Sequence, residues 1–192
     1  MTIQFDGTTN QATVGDLVAN SVQVGGVSVN LYPLVSGNTL TYNWNGLTTN
    51  TVLDFTGIPS TAKRVTVMFS GVSTSGTSGI LVQIGISTGI DALTYASGSL
   101  RSANGSTTGA TYTTGFGISS ISAAYLLSGN TAITNISGNI WVAAHTLADS
   151  VSGNIVCGGG TKTLSGVLDR VRITTVNGTD TIDAGSINIM WE

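Results

Sequence analysis

Apolar residues along this chain recur at every second position, in short runs separated by Gly, Asn, Ser and Thr. A period of two marks strands with one buried face. Over 64–72, Val65, Val67 and Phe69 alternate with Thr66, Met68 and Ser70; over 79–87, Ile80, Val82, Ile84 and Ile86 share one side. The polar run 73–78 between them predicts a hairpin turn. Over 139–145, Ile140, Val142 and Ala144 oppose Trp141, Ala143 and His145. Over 164–176, Val167, Val171 and Ile173 oppose Leu168, Arg170 and Arg172, and Asn177-Gly178 then predicts a tight hairpin leading into Ile187, Ile189 and Trp191. Only 120–127 hints at a helix, and it is too short to stand as one. The pattern predicts an all-β chain, an antiparallel β-sandwich or jelly-roll-like domain.

The first 40 residues read differently. Val22-Gln23-Val24 and Val27-Ser28-Val29 flank a Gly pair, which predicts a short β arm or small hairpin rather than a second core. We place residues 1–40 as an N-terminal arm or attachment segment and 41–192 as the β-sandwich domain, with the boundary near 37–42. The stretch 97–114 is dense in Ser, Thr, Gly and Asn and is expected to be a long loop, hence a contact surface.

Composition narrows the function. Only 8% of the residues are charged, the net charge is −3, and Lys plus Arg total six. So few cations leave no footprint for nucleic acid, and no apolar run is long enough to predict membrane insertion through a helix. One Cys rules out a disulfide scaffold. Residues 1–6 carry neither the basic nor the apolar region of a secretory signal, so synthesis and folding in a cytoplasm are expected. The Asn-x-Ser/Thr sites at Asn104, Asn135 and Asn177 are therefore not expected to carry glycans.

Candidate chemistry is sparse. The single His145, with Asp149 four residues on, is the only start for a Ser–His–Asp arrangement, and no Gly-x-Ser-x-Gly elbow accompanies it. His145 is expected at a strand end, on a surface or interface. Cys157 precedes Gly158-Gly159-Gly160-Thr161-Lys162, a glycine run without nucleotide-loop spacing, expected to be a flexible turn beside an inert thiol. Asp180-Thr181-Ile182-Asp183 lacks the further oxygen ligands of a calcium loop. We therefore expect no catalytic residues, no metal and no cofactor. Trp44, in the polar run 42–46, and Tyr95, Arg101, Asn104 and Tyr112, in and beside 97–114, are the candidate ligand-binding residues. Arg170 and Arg172 are expected to pair with carboxylates such as Asp54, Asp180 or Asp183, or with a neighbouring subunit, while Asn177 and Gly178 form the turn.

Two stretches are more specific. Asp54-Phe55-Thr56-Gly57-Ile58-Pro59, with Lys63-Arg64-Val65-Thr66-Val67-Met68-Phe69 and residues 71–78, form the first; residues 168–181 and 183–189 form the second, with Thr114-Gly115-Phe116-Gly117 between them. Together, over about 51–192, they resemble a domain found at the C-termini of tailed-bacteriophage tail-fibre and other virion structural proteins. The resemblance implies a protein exposed on the virion, a homotrimer, with host-surface binding as its leading role. It brings no catalytic residues. Its partners would be copies of itself, other virion proteins (tail, baseplate or capsid) through residues 1–40, and a host-surface glycan or protein. The alternative is a capsid decoration (cement) or head-fibre protein docking through its N-terminal arm. A small glycan hydrolase is a third reading, for which no acidic pair has supporting context.

Overall fold

The computed structural model describes residues 51–192 apart from Asn104 and Ile121, together with the backbone of strands within 22–29 and 40–43. The chain divides into two units, Met1–Val35 and Ser36–Glu192. In the first unit, β1 (Val22–Val24) and β2 (Val27–Val29) pair antiparallel, Val22 opposite Val29.

The second unit is all-β, and no helix occurs among the described residues. Its strands are β3 (Leu40–Asn43), β4 (Val52–Thr56), β5 (Arg64–Thr74), β6 (Ile80–Ile86), β7 (Gly89–Ile90), β8 (Ala96–Ala103), β9 (Ser106–Tyr112), β10 (Phe116–Ile118), β11 (Leu127–Ser137), β12 (Ile140–Asp149), β13 (Ile155–Thr163), β14 (Arg170–Thr175) and β15 (Ile182–Trp191). They form a large sheet in the order β3-β15-β5-β11-β12-β13-β8-β9 and a small one in the order β10-β6-β14-β4, with β7 also pairing β6. Every pairing is antiparallel.

The alternation explains the sandwich. Leu53, Phe55, Val82, Ile84, Phe116, Val171 and Ile173 of the small sheet and Val65, Val67, Phe69, Ile133, Leu147, Ile187 and Ile189 of the large one belong to a single buried cluster. Burying such side chains stabilises the fold by roughly 1.5–3 kcal/mol each relative to exposure.

Strict alternation would turn Val72 outward with Thr66 and Met68. Instead, the register of β5 shifts against both β11 and β15, Gly71 adopts φ +61°, and Val72 returns to the core. That extra residue is a β-bulge, and glycine supplies the left-handed φ it needs. Gly185, at φ +85°, lies against it so closely that a Cβ there would overlap the Gly71 carbonyl.

Several expectations are corrected by the sheet order. Residues 73–78 and Asn177-Gly178 do not close hairpins, because β5 and β15 lie in the large sheet while β6 and β14 lie in the small one. Both segments are corners that carry the chain between layers. The stretch 97–114 is chiefly the β8–β9 hairpin rather than a loop, and Gly158 to Gly160 are strand residues of β13 rather than a turn. Val167 is exposed ahead of β14 instead of sharing a face with Val171.

Candidate functional site

The two corners hold each other by hydrogen bonds. The Asp180 carboxylate accepts from the Ser78 backbone N–H and from Asn177 Nδ2, both at 2.9 Å, and the Asn177 side-chain oxygen accepts from the N–H groups of Thr179 and Asp180. The Ser78 hydroxyl accepts from the Asn177 N–H at 3.0 Å, and Ser75 Oγ accepts from the Thr181 N–H. The hydrogen bond from Asn177, then that from Ser78, pull the Asp180 carboxyl below the usual carboxylate range. A Cβ at Gly76 would overlap the Asp180 carboxylate, so a side chain there would have to displace it. Asp183 accepts from Ser73 Oγ. Both acids are thus engaged by neutral partners, and Gly178 takes the turn at φ +68°.

Arg172 and Asp54 face each other across β14 and β4 and form a two-pronged pair at 2.7 Å. Arg170 differs from expectation: its partner is none of Asp54, Asp180 and Asp183 but its neighbour Asp169, at 2.9 Å, and it also donates to the Ser87 carbonyl.

Tyr95 is corrected from candidate ligand contact to core residue. It is 3% exposed, its hydroxyl bonds both the N–H and the carbonyl of Ile84, and its ring meets Phe116 edge-on with centroids 5.0 Å apart. Burial raises its phenol well above the ordinary value. Tyr112 is half-buried and lies over Gly117, where a Cβ would overlap its ring. Arg101 stands on the inward side of β8 opposite Val156 and Thr108, with Nε buried and without a hydrogen-bond partner. Trp44 and Asn104 lie outside the described residues.

His145, Asp149 and Lys162 are committed to structure, whereas the Cys157 thiol is exposed. His145 is not at a surface; it sits mid-strand in β12, 3% exposed, with Nε2 3.2 Å from Ser99 Oγ, which also accepts from the Ser119 N–H. Burial lowers its pKa to about 4. Asp149 cannot complete a triad. Four strand residues separate it from His145, about 13 Å along β12, and its carboxylate accepts from the N–H groups of Leu126, Val151 and Ser152 to close the β12–β13 turn. Lys162, 1% exposed, runs inward to an ion pair with Asp91 at 2.8 Å and lies 5.0 Å from the Tyr95 ring centroid. It also donates to the Leu93 carbonyl and to Thr94 Oγ1. No cluster of metal-ligating side chains occurs among the described residues.

The outward face of the large sheet is left open. Register places its residues in rows: Ala148, Ile155, Ser102 and Thr107; Thr146, Cys157, Leu100 and Gly109; Ala144, Gly159, Gly98 and Thr111. On β11 the matching outward residues are Ser128, Asn130 and Ala132. None of these is charged. Ile155 and Leu100 protrude, 52% and 42% exposed, beside an open hollow of about 630 Å³ bordered by Leu100, Thr111 and Cys157 and floored by Gly98, Gly109 and Gly158. Sequence reading marked only 97–114 as a contact surface, and as a loop; the β11, β12 and β13 part of this face was not singled out. The face's one legible signal was Gly98 and Gly109, which interrupt strands away from any turn.

The described residues thus present an open, uncharged sheet face and a buried, hydrogen-bonded set of His145, Asp149 and Lys162. No protein-family model matches the chain, and neither the curated proteins nor the solved structures include a significant match.

Proposed function

We propose that this chain is a non-catalytic structural protein of a bacteriophage virion, a tail-fibre or receptor-binding protein that contacts the host cell surface and assembles with copies of itself, three in the arrangement the resemblance implies. The observation that carries this reading is the broad uncharged sheet face left open, beside His145, Asp149 and Lys162, which are buried and hydrogen-bonded. An enzyme needs a nucleophile with an acid–base group beside it that a substrate can reach; here Ser99, His145 and Asp149 are buried and hydrogen-bonded, and the exposed Cys157 lies opposite Thr146 and Leu100, neither of them an acid or base. A binding module needs a rigid scaffold and accessible surface, and both are present.

The division of the chain at Val35 favours a second reading, in which the N-terminal unit attaches to other virion proteins and the body decorates the capsid or forms a head fibre. Immunogold electron microscopy of purified phage separates the two. Gold at the tail tip or fibres, with purified protein blocking adsorption to host cells, is the expected result. Gold over the head moves the assignment to capsid decoration, and unlabelled virions overturn both.

A further inference from the structure

We propose that a second copy of this chain docks on the outward face of β11, β12, β13, β8 and β9, with an aliphatic side chain of the copy entering the hollow over Gly98 and Gly109. The proposal deepens the self-assembly part of the reading above and rests on it; the place of the protein on a virion does not enter.

Glycine at these two positions is not demanded by the chain's own fold. Neither has a left-handed φ. A Cβ at Gly98 would come no closer than 3.7 Å to the Ala110 carbonyl oxygen, and one at Gly109 no closer than 3.9 Å to Leu100 Cδ1. The contrast with β13 is direct: a Cβ at Gly158 or Gly160 would overlap the backbone of β8. Glycine weakens a strand unless something must approach the backbone closely. Gly98 and Gly109 leave room on the outward side, facing solvent, so the approaching group is not part of the described fold.

The chemistry of the face selects a copy of the same chain. Nucleic acid and anionic surfaces need cations, and this face has none. A charged partner would bury ions without mates, which is costly. A surface with as few charges as this one avoids that cost, and the chain supplies knobs of the right kind, exposing Leu93, Ile136, Val167 and Val176. Size also fits. Five strands of about seven residues span roughly 24 Å by 24 Å, or about 600 Å² on each copy, from standard strand spacings. Two such surfaces give about 1,200 Å², above the roughly 1,000 Å² that specific interfaces require.

Light scattering on the full chain is the test, with Gly109→Arg and Thr146→Arg on the face and Thr88→Arg on the small sheet's turn as control. The expected wild-type and control mass is a multiple of 19.5 kDa. Both face variants are expected at the single-chain mass with an unchanged far-ultraviolet circular dichroism spectrum. Cys157, the chain's single cysteine, reports from within the face, and its maleimide labelling is expected to be about tenfold slower in the assembled wild type than in Gly109→Arg. A single-chain wild type at micromolar concentration overturns this proposal and the self-assembly reading together. An assembled wild type that both variants leave intact overturns the face alone. Should the variants misfold, Cys157 of the wild type decides: protection that disappears on dilution supports the proposal, and full reactivity at every concentration overturns it.

Discussion

The outward faces of the two sheets both belong to antiparallel strands, yet they end in opposite chemistry. On the small sheet, Asp54, Arg172 and Gln83 form one cross-strand row, the first two paired ion to ion and the third donating to the Thr114 carbonyl at 2.7 Å. Its polar groups find partners within the chain. On the large sheet, from β11 to β9, the outward residues are small or aliphatic and uncharged, and the glycine floor is open. A face that satisfies itself has little to gain from a partner, whereas one that exposes aliphatic groups around a hollow gains by covering them.

The inward side of the large sheet gives the largest expected effect. Asp91→Ala removes the ion-pair partner of an ammonium that is 1% exposed; because Asp91 itself is 30% exposed and the Leu93 carbonyl and Thr94 Oγ1 still accept from Lys162, the cost is expected near the lower end for a buried pair, about 3 kcal/mol. Urea denaturation should show it as a fall in midpoint at constant slope. Lys162→Met in the same background should recover much of the loss, because the uncompensated charge is then gone. An Asp91→Ala protein of wild-type stability would show the pair to be dispensable.

Acid should act on the same inward side. The unfolded chain protonates His145 near pH 6.5, while burial holds the folded side chain neutral down to about pH 4. The unfolded state therefore binds the extra proton first. The stability contributed by neutral His145 is complete above pH 6.5 and is lost as pH falls towards 4, roughly 3 kcal/mol in all. Denaturation midpoints across this window should flatten in His145→Gln. Asp180, with its lowered carboxyl, acts in the same direction further down, where pH falls below its ordinary value of 3.8.

The smallest effect is expected on the small sheet. Arg172 and Asp54 are each about one-third exposed, so solvent screens their attraction despite the two-pronged geometry. A double-mutant cycle with Arg172→Ala and Asp54→Ala should give a coupling of about 0.5–1 kcal/mol that shrinks in high salt. A coupling several times larger would place this pair among the principal supports of the sandwich.

Much of this architecture was legible in the residues themselves. Alternation located β5, β6, β12, β14 and β15, while the glycine run of β13 was read as a turn. Asn177-Gly178 and 73–78 were recognisable as places where the chain turns. Local composition determines that a strand ends and that one of its faces is apolar, because φ/ψ preference and side-chain period act over a few residues.

The sheet that the chain enters after each turn was decided only by the tertiary structure. Both corners cross between sheets because Asp180, Asn177, Ser75 and Ser78 bind each other across about a hundred residues of sequence. Likewise Tyr95, His145 and Lys162 carry polar tips that sequence patterning assigns to solvent. Each is buried because a partner from a distant strand or loop waits there: Ile84 for Tyr95, Ser99 for His145, Asp91 for Lys162. The open face has the same origin. Residues on β12, β13, β8 and β9 become one uncharged surface only when register aligns them, and no window of sequence contains that alignment.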